Sequence, residues 1–341
     1  MGVNLSDLVR FHEVDQIQLK GKTVAIDAYN AIYQFLSVIR QPDGTPLKDS
    51  RGRVTSHLSG LLNRNANLIE MGVIPVYVFD GKPSKLKMAT IVERSERRQR
   101  AQQEWKEAVT VGDLEMAYTK AQQSAKITNE IVESSRVLLV YLGIPIVQAP
   151  GEGEAQAAYM AQKGDVWAAS SQDFDSLLFG APRLLRNLTL AGRRKMPGRN
   201  EYRDVKMEIV ELQEVLTDLE LSREQLIDLC IMMGTDFNEG IRGIGPKKGL
   251  KLIREHGDLP RAIASLNKEM PEYEQVREIF LNYEHIDDYR LELAPPDREK
   301  VIEMLVREHD FSEQRVIGAL DKIFKGREKP PKGSQSSLDM F

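Results

Sequence analysis

Short β-branched apolar runs alternate along the chain with longer stretches of helical periodicity, the pattern of an α/β protein. Thr23 to Ile26, Val73 to Phe79, Ile144 to Val147 and Val166 to Ala169 read as strands, each leading into a polar or glycine-containing turn. The connections between them are long enough for helical crossovers. The spacing therefore predicts a mainly parallel central sheet with helices on both faces. Ligands of such sheets gather beyond the carboxyl ends of the strands.

Residues 83–133 are polar and helix-favouring, with Trp105, Val109, Leu114 and Tyr118 as sparse apolar points. This stretch is too weakly hydrophobic to form core. It reads either as a helical arch or as an excursion covering the sheet edge, and its basic first half favours the arch. After Leu221 the pattern is helical, and from Gly326 the chain is rich in Pro, Lys and Ser, as flexible tails are. The expected organisation is one body over residues 1–325 with a tail over 326–341. No internal repeat is evident.

The single cysteine, Cys230, leaves no intrachain disulfide and no cysteine-based zinc site, and points to a reducing, intracellular setting. No apolar run approaches the ~18 residues of a membrane span. The start MGVNLSDLVR lacks the features of a secretory signal. Gly2 to Ser6 matches the loose myristoylation pattern, which is too short to carry weight. The net charge of −4 argues against a simple basic coat for nucleic acid. The charge is nevertheless polarised. By residue count, Lys82 to Glu107 carries +4, Arg183 to Lys206 carries +6 and Arg242 to Arg254 carries +5, leaving −19 elsewhere. Each run alone suits a solvated face; three together suit contact with phosphates.

Acids cluster at the strand ends. Asp27 follows TVAI and Asp80 follows VIPVYVF. Glu152 and Glu154 lie in APGEGEA, Asp173 and Asp175 in SSQDFDSL, and Asp236 in MGTDF after a helical run. Any one of these suits a helix cap or a turn. Four strand ends would bring up to six carboxylates to one rim, with little compensating charge in view. Such groups repel and raise one another's pKa unless divalent cations intervene. With no His or Cys in the set, Mg²⁺ or Mn²⁺ fits better than Zn²⁺. Two such ions about 4 Å apart serve in-line phosphodiester hydrolysis. A competing reading takes Asp173 and Asp175 as the DxD of a haloacid-dehalogenase-type phosphatase. Ser176 and Leu177 do not fit that motif, and it leaves Glu152, Glu154 and the basic runs unexplained.

The segment IRGIGPKKGLKLIREHG predicts a helix-hairpin-helix over about residues 225–257, with Gly243 and Gly245 in the turn and Pro246 opening the second helix. Free backbone N–H groups and the helix dipole there favour a phosphate, and Lys247, Lys248 and Lys251 add charge. Such a grip positions a backbone without reading bases.

As a set, MGVNLSDL, AIDAYNAIYQF, VFDGKPSKLK, ERSERR, APGEGEAQAAY, SQDFDSLLFG, MGTDF and GIRGIGPKK resemble the flap endonuclease family of archaeal or eukaryotic type, from Met1 to the tail. The resemblance implies a PIN-like 5′ nuclease fold with arch and helix-hairpin-helix. It implies that Asp27, Asp80, Glu152 and Glu154 serve one Mg²⁺ and Asp173, Asp175 and Asp236 the other, some through water. Lys87 and Arg94 match the family's basic pair that stabilises the scissile phosphate, and Tyr33 the aromatic that stacks on a nucleobase near the cut. The hairpin at Gly243 and Gly245 would hold duplex and use a K⁺ ion, and Gly2 would place its amine near the site.

The implied reaction is removal of a 5′ flap at its junction with duplex, with associated 5′–3′ exonuclease activity, in replication and repair by a monomer. QSSLDMF resembles a sliding-clamp-binding box, with Gln335, Leu338 and Phe341 in register but without the usual second aromatic. The alternatives are a related nuclease acting mainly on RNA primers or duplex ends, and a non-catalytic junction-binding scaffold. The compartment would be the cytoplasm for an archaeal protein and the nucleus for a eukaryotic one.

Overall fold

A computed structural model describes residues 3–190, 192–195 and 202–327. Its strands are β1 (His12–Val14), β2 (Thr23–Asp27), β3 (Ile74–Phe79), β4 (Ile146–Gln148), β5 (Ala168–Ser170), β6 (Arg183–Arg186), β7 (Gly192–Lys195), β8 (Tyr202–Val205) and β9 (Met207–Glu211). Seven of them form one sheet in the order β1-β9-β6-β5-β2-β3-β4. The pairs β2–β3, β2–β5, β3–β4 and β5–β6 are parallel, whereas β9 is antiparallel to both β1 and β6. The sheet is thus mainly parallel with an antiparallel edge. The basic run from Arg183 to Lys206, which alone would suit a solvated face, supplies β6 to this sheet and the separate β7–β8 ribbon.

Both faces of the sheet are covered, which explains why its strands read as continuous apolar runs. Side chains alternate across the plane. Val24, Ile26, Tyr77 and Phe79 face α1 (Ala28–Val38), α2 (Ser56–Glu70), α5 (Asn129–Tyr141) and α14 (Glu313–Arg327). Ala25, Val76 and Val78 face α6 (Gly153–Lys163), α7 (Asp175–Leu178), α8 (Leu212–Asp218) and α9 (Arg223–Met233). Beyond α9 follow α10 (Pro246–His256), α11 (Leu259–Ser265) and α12 (Tyr273–Leu281). The short α13 (Arg298–Ile302) runs into a π-helical segment (Glu303–Glu308) before α14.

Between β3 and α5 stand α3 (Lys87–Thr110) and α4 (Leu114–Gln123). Their only fully buried residues are alanines, Ala101 and Ala108 on one and Ala117 and Ala121 on the other, so the two helices approach closely without an apolar core. Toward the far end of α3 and on α4, the Trp105 indole donates to the Asp43 carbonyl at 3.1 Å and the Tyr118 hydroxyl to the Val38 carbonyl at 3.2 Å, tying the pair to the body. Residues 129–133, read from composition as the end of the arch, belong to α5, where Ile131 and Val132 are buried in the core. At the other end, α14 runs to Arg327, and Gly326 packs against the Ile69 carbonyl. The helix therefore continues past the residue where composition places the tail. No described helix is long and apolar enough to cross a membrane.

Candidate active site

Parallel strands deliver their carboxyl ends to one rim, and the acids after them follow. Asp27 closes β2 and caps α1, its Oδ1 accepting the Asn30 N–H at 3.0 Å. Asp80 leaves β3 and its Oδ1 accepts the Gly153 N–H at 2.6 Å, so the second carboxylate holds the start of α6. A Cβ on Gly153 would stand 2.7 Å from that oxygen and 3.3 Å from the Val78 carbonyl, which is why glycine occupies the position. Glu152 is the N-cap of α6 and Glu154 lies in its first turn. Asp175 opens α7 and accepts the Val3 N–H at 2.9 Å. Asp236, also buried, lies in the connection between α9 and α10.

The sequence offered little compensating charge, but the structure brings two cations from α3 onto the acids. The Lys87 ammonium hydrogen-bonds Glu152 and lies 3.8 Å from Asp236 Oδ2, and the Arg94 guanidinium pairs with Asp236 Oδ1. Burial works against the charge on Lys87, but Glu152 and Asp80 more than offset it, and its pKa is raised. The acids farther from Lys87 are less relieved. Burial, then repulsion from Asp80 and Asp173, pushes Asp27 up to about 8. Burial, then Asp236 and Asp173, pushes Asp175 up to about 7. Glu154 is raised well above the usual carboxylate range by burial and by Asp175, Asp27 and Asp173, and its Oε1 is buried with no hydrogen-bond partner. Burial also raises Asp80 and Glu152, against the pull of Lys87.

This donor set suits a hard cation: all oxygen, buried or half-buried, mutually repelling and partly unsatisfied. Among the described residues no three His, Cys, Asp or Glu side chains are gathered tightly enough to enclose one ion. Lys87 and Arg94 stand against two of the carboxylates, Glu152 and Asp236.

The remaining sequence candidates contribute no described contact with these acids. Tyr33 on α1 is half-buried, with the Arg98 guanidinium 5.7 Å from its ring centre. Gly243, at φ +83°, makes a turn that a side chain would strain. Gly245 caps α10 with Pro246 in its first turn, and Lys247, Lys248 and Lys251 are exposed. Gly2, Gln335, Leu338 and Phe341 lie outside the described residues. Sequence reasoning missed Asn30, the Val3 backbone and Gln148, whose amide donates to the Asp80 carbonyl at 2.8 Å. Only the placement of Asn30 three residues after Asp27 offered a signal, as a capping partner.

The chain matches the XPG N-terminal domain over residues 1–101 and the XPG I-region over residues 143–236. Those two segments carry all seven acids, so fold and rim together define a protein of the XPG class. It is 52% identical over 341 residues to Flap endonuclease 1 of Archaeoglobus fulgidus, covering 100% of both chains. It is 52% identical over 342 residues to Flap endonuclease 1 of Pyrococcus abyssi, covering 100% of this chain and 98% of the other. The solved flap endonuclease-1 from Methanococcus jannaschii superposes with a TM-score of 0.77 at 42% identity, over 96% of this chain and 100% of that one. The chain belongs to the flap endonuclease family, and it is a nuclease. The catalytic core of Rad2, solved in complex with DNA substrate, shares the fold at 24% identity and a TM-score of 0.68.

Proposed function

We propose that this nuclease recognises branched DNA and cuts a 5′ flap where it joins duplex, with associated 5′–3′ exonuclease action on free 5′ ends. The observation that carries this reading is the convergence, on one rim, of repelling carboxylates with two cations from α3. Asp27, Asp80, Glu152 and Glu154 would hold one Mg²⁺, and Asp173, Asp175 and Asp236 a second, with Mn²⁺ as a substitute. Bound there, the ions would supply an activated water and charge stabilisation for in-line displacement at phosphorus. Lys87 and Arg94 exchange their carboxylate partners for the scissile phosphate, which their ammonium and guanidinium groups hold in place. Tyr33 stacks on the nucleobase beside the cut.

The turn at Gly243 and Gly245 offers the unpaired N–H groups of the first turn of α10 to a duplex phosphate, with Lys247, Lys248 and Lys251 beside it. That hairpin would bind K⁺. Asp236 shares its connection with this hairpin, so the grip on duplex and the cutting site are covalently adjacent. Recognition is of shape and bendability rather than base sequence. The tail residues Gln335, Leu338 and Phe341 would dock on a sliding clamp, and the protein would act as an intracellular monomer.

The test is a cleavage map on a double-flap duplex with Mg²⁺, beside an RNA primer junction and a flapless duplex. A dominant cut at the flap junction is expected. Preference for the RNA junction or the blunt end would overturn the substrate assignment, and Mg²⁺-independent binding without product would leave a scaffold.

A further inference from the structure

A chain of side-chain hydrogen bonds, buried at its outer end and half-buried at Asn30, runs from the turn after β6 to the carboxylate rim. Thr189, 4% exposed, donates its hydroxyl to Gln34 Oε1 at 2.6 Å. Gln34, 9% exposed, donates its Nε2 to Asn30 Oδ1 at 2.5 Å. Asn30 Oδ1 also accepts the Gln172 backbone N–H at 3.3 Å, while the Asn30 N–H is the donor that caps Asp27. The direction of the chain follows from its members. Asn30 Oδ1 is an acceptor for Gln172, so Gln34 must present its NH₂ there and its carbonyl to the Thr189 hydroxyl.

A buried amide ordered by two partners loses rotamer freedom and solvation that an apolar side chain of the same size would not. Its effect is orientation. Asn30 touches both halves of the carboxylate set: Asp27 through its own N–H, and the residue before Asp173 through its side chain. The position of Asp27 relative to Asp173 therefore depends on the Asn30 rotamer, which Gln34 and Thr189 fix.

We infer that Gln34 and Thr189 are positioning residues for the cutting site, acting through Asn30 on the Asp27–Asp173 spacing. This inference rests on the reading of those acids as metal ligands. Supporting side chains of this kind are worth about 10- to 100-fold in metal affinity or activity.

The variants are Gln34→Met, which keeps shape and removes both hydrogen bonds, with Thr189→Val, Thr189→Ser and the Gln34→Met/Thr189→Val pair. Circular dichroism melts establish that each folds. The expected results are a single-turnover rate about tenfold lower in Gln34→Met and Thr189→Val, a near-normal rate in Thr189→Ser, and a double variant no slower than Gln34→Met. Flap-DNA affinity in Ca²⁺ should stay within about twofold, while Mn²⁺ affinity of the DNA-free protein, by titration calorimetry, falls by about tenfold. Unchanged Mn²⁺ affinity, or losses that multiply in the pair, would overturn the inference. An inactive wild type would instead remove the substrate reading, and the calorimetry would still decide the relay.

Discussion

Lys87, the first residue of α3, hydrogen-bonds Glu152, the N-cap of α6, and stands 3.8 Å from Asp236 Oδ2. One ammonium thus holds acids from two elements separated in sequence, at a point where phosphate would have to enter. Lys87→Ala should slow the single-turnover cleavage rate by about a hundredfold or more, as for other preorganised donors, while flap-DNA affinity changes little. Equal loss in rate and affinity would mean that Lys87 serves binding alone.

Asp80 has two tasks: it belongs to the acid set, and its Oδ1 holds the Gly153 N–H. Asp80→Asn keeps an acceptor for that N–H but removes the charge, so it separates the two. Cleavage should fall below detection in Asp80→Asn, with binding to flap DNA and the melting temperature retained. Substantial activity in this variant would end the assignment of Asp80 to a metal ion.

Gly153→Ala tests the same contact from the other side, because its Cβ would press on Asp80 Oδ1 at 2.7 Å. Either the carboxylate or the start of α6 must shift. The expected outcome is a fall of about tenfold or more in cleavage rate, in line with misplacement of supporting groups around a site. A folded Gly153→Ala protein with wild-type rate would show that the rim tolerates displacement and that its close packing is incidental.

The gathering of the acids was legible in the sequence as a set, because parallel strands deliver their carboxyl ends to one rim. Asp27 ends β2 and Asp80 follows β3, whose parallel pairing sets them on one rim. Other parts were not legible for physical reasons. Arg183 and Arg186 mask the two apolar residues of β6, Leu184 and Leu185, so a sheet strand reads as a charged run. The pairing of α3 with α4 depends on alanines, whose small side chains leave no hydrophobic stripe. Thr189 meets Gln34 across 155 residues of sequence, and amide side chains have no periodicity to betray such a bond.

Metal removal should have a pH-dependent signature. In the metal-free protein Asp27 and Asp175 are pushed up to about 8 and about 7, so between the unfolded value of 3.8 and those values the native state binds more protons than the unfolded one. Stability from these groups is therefore present below 3.8 and lost as pH rises through about 7 to 8. A cation relieves the repulsion only once the acids are ionised. The rise in melting temperature on adding Mg²⁺ to chelator-treated protein should thus be larger at about pH 8.5 than at about pH 6. Equal rises by calorimetry would show that these acids do not bind the ion.

His57, on α2 and away from the acid rim, should govern part of the acid response. It is 1% exposed, its Nε2 lies 2.8 Å from Ser134 Oγ, and its Nδ1 has no hydrogen-bond partner. Ser134 gives its own proton to the Glu130 carbonyl at 2.8 Å, so the imidazole donates from Nε2 and is neutral with a bare Nδ1. Burial, and then His309, lowers its pKa to about 3 from 6.5. Between those values the unfolded chain binds a proton that the native protein does not. The resulting stability is complete above pH 6.5 and is lost as pH falls toward 3. His57→Gln retains a donor for Ser134 and does not titrate. Its urea midpoint should therefore fall less steeply than that of the wild type between about pH 6.5 and 4, over which the buried imidazole is the added proton acceptor of the unfolded state. Parallel slopes for the two proteins would show that His57 takes up its proton without unfolding.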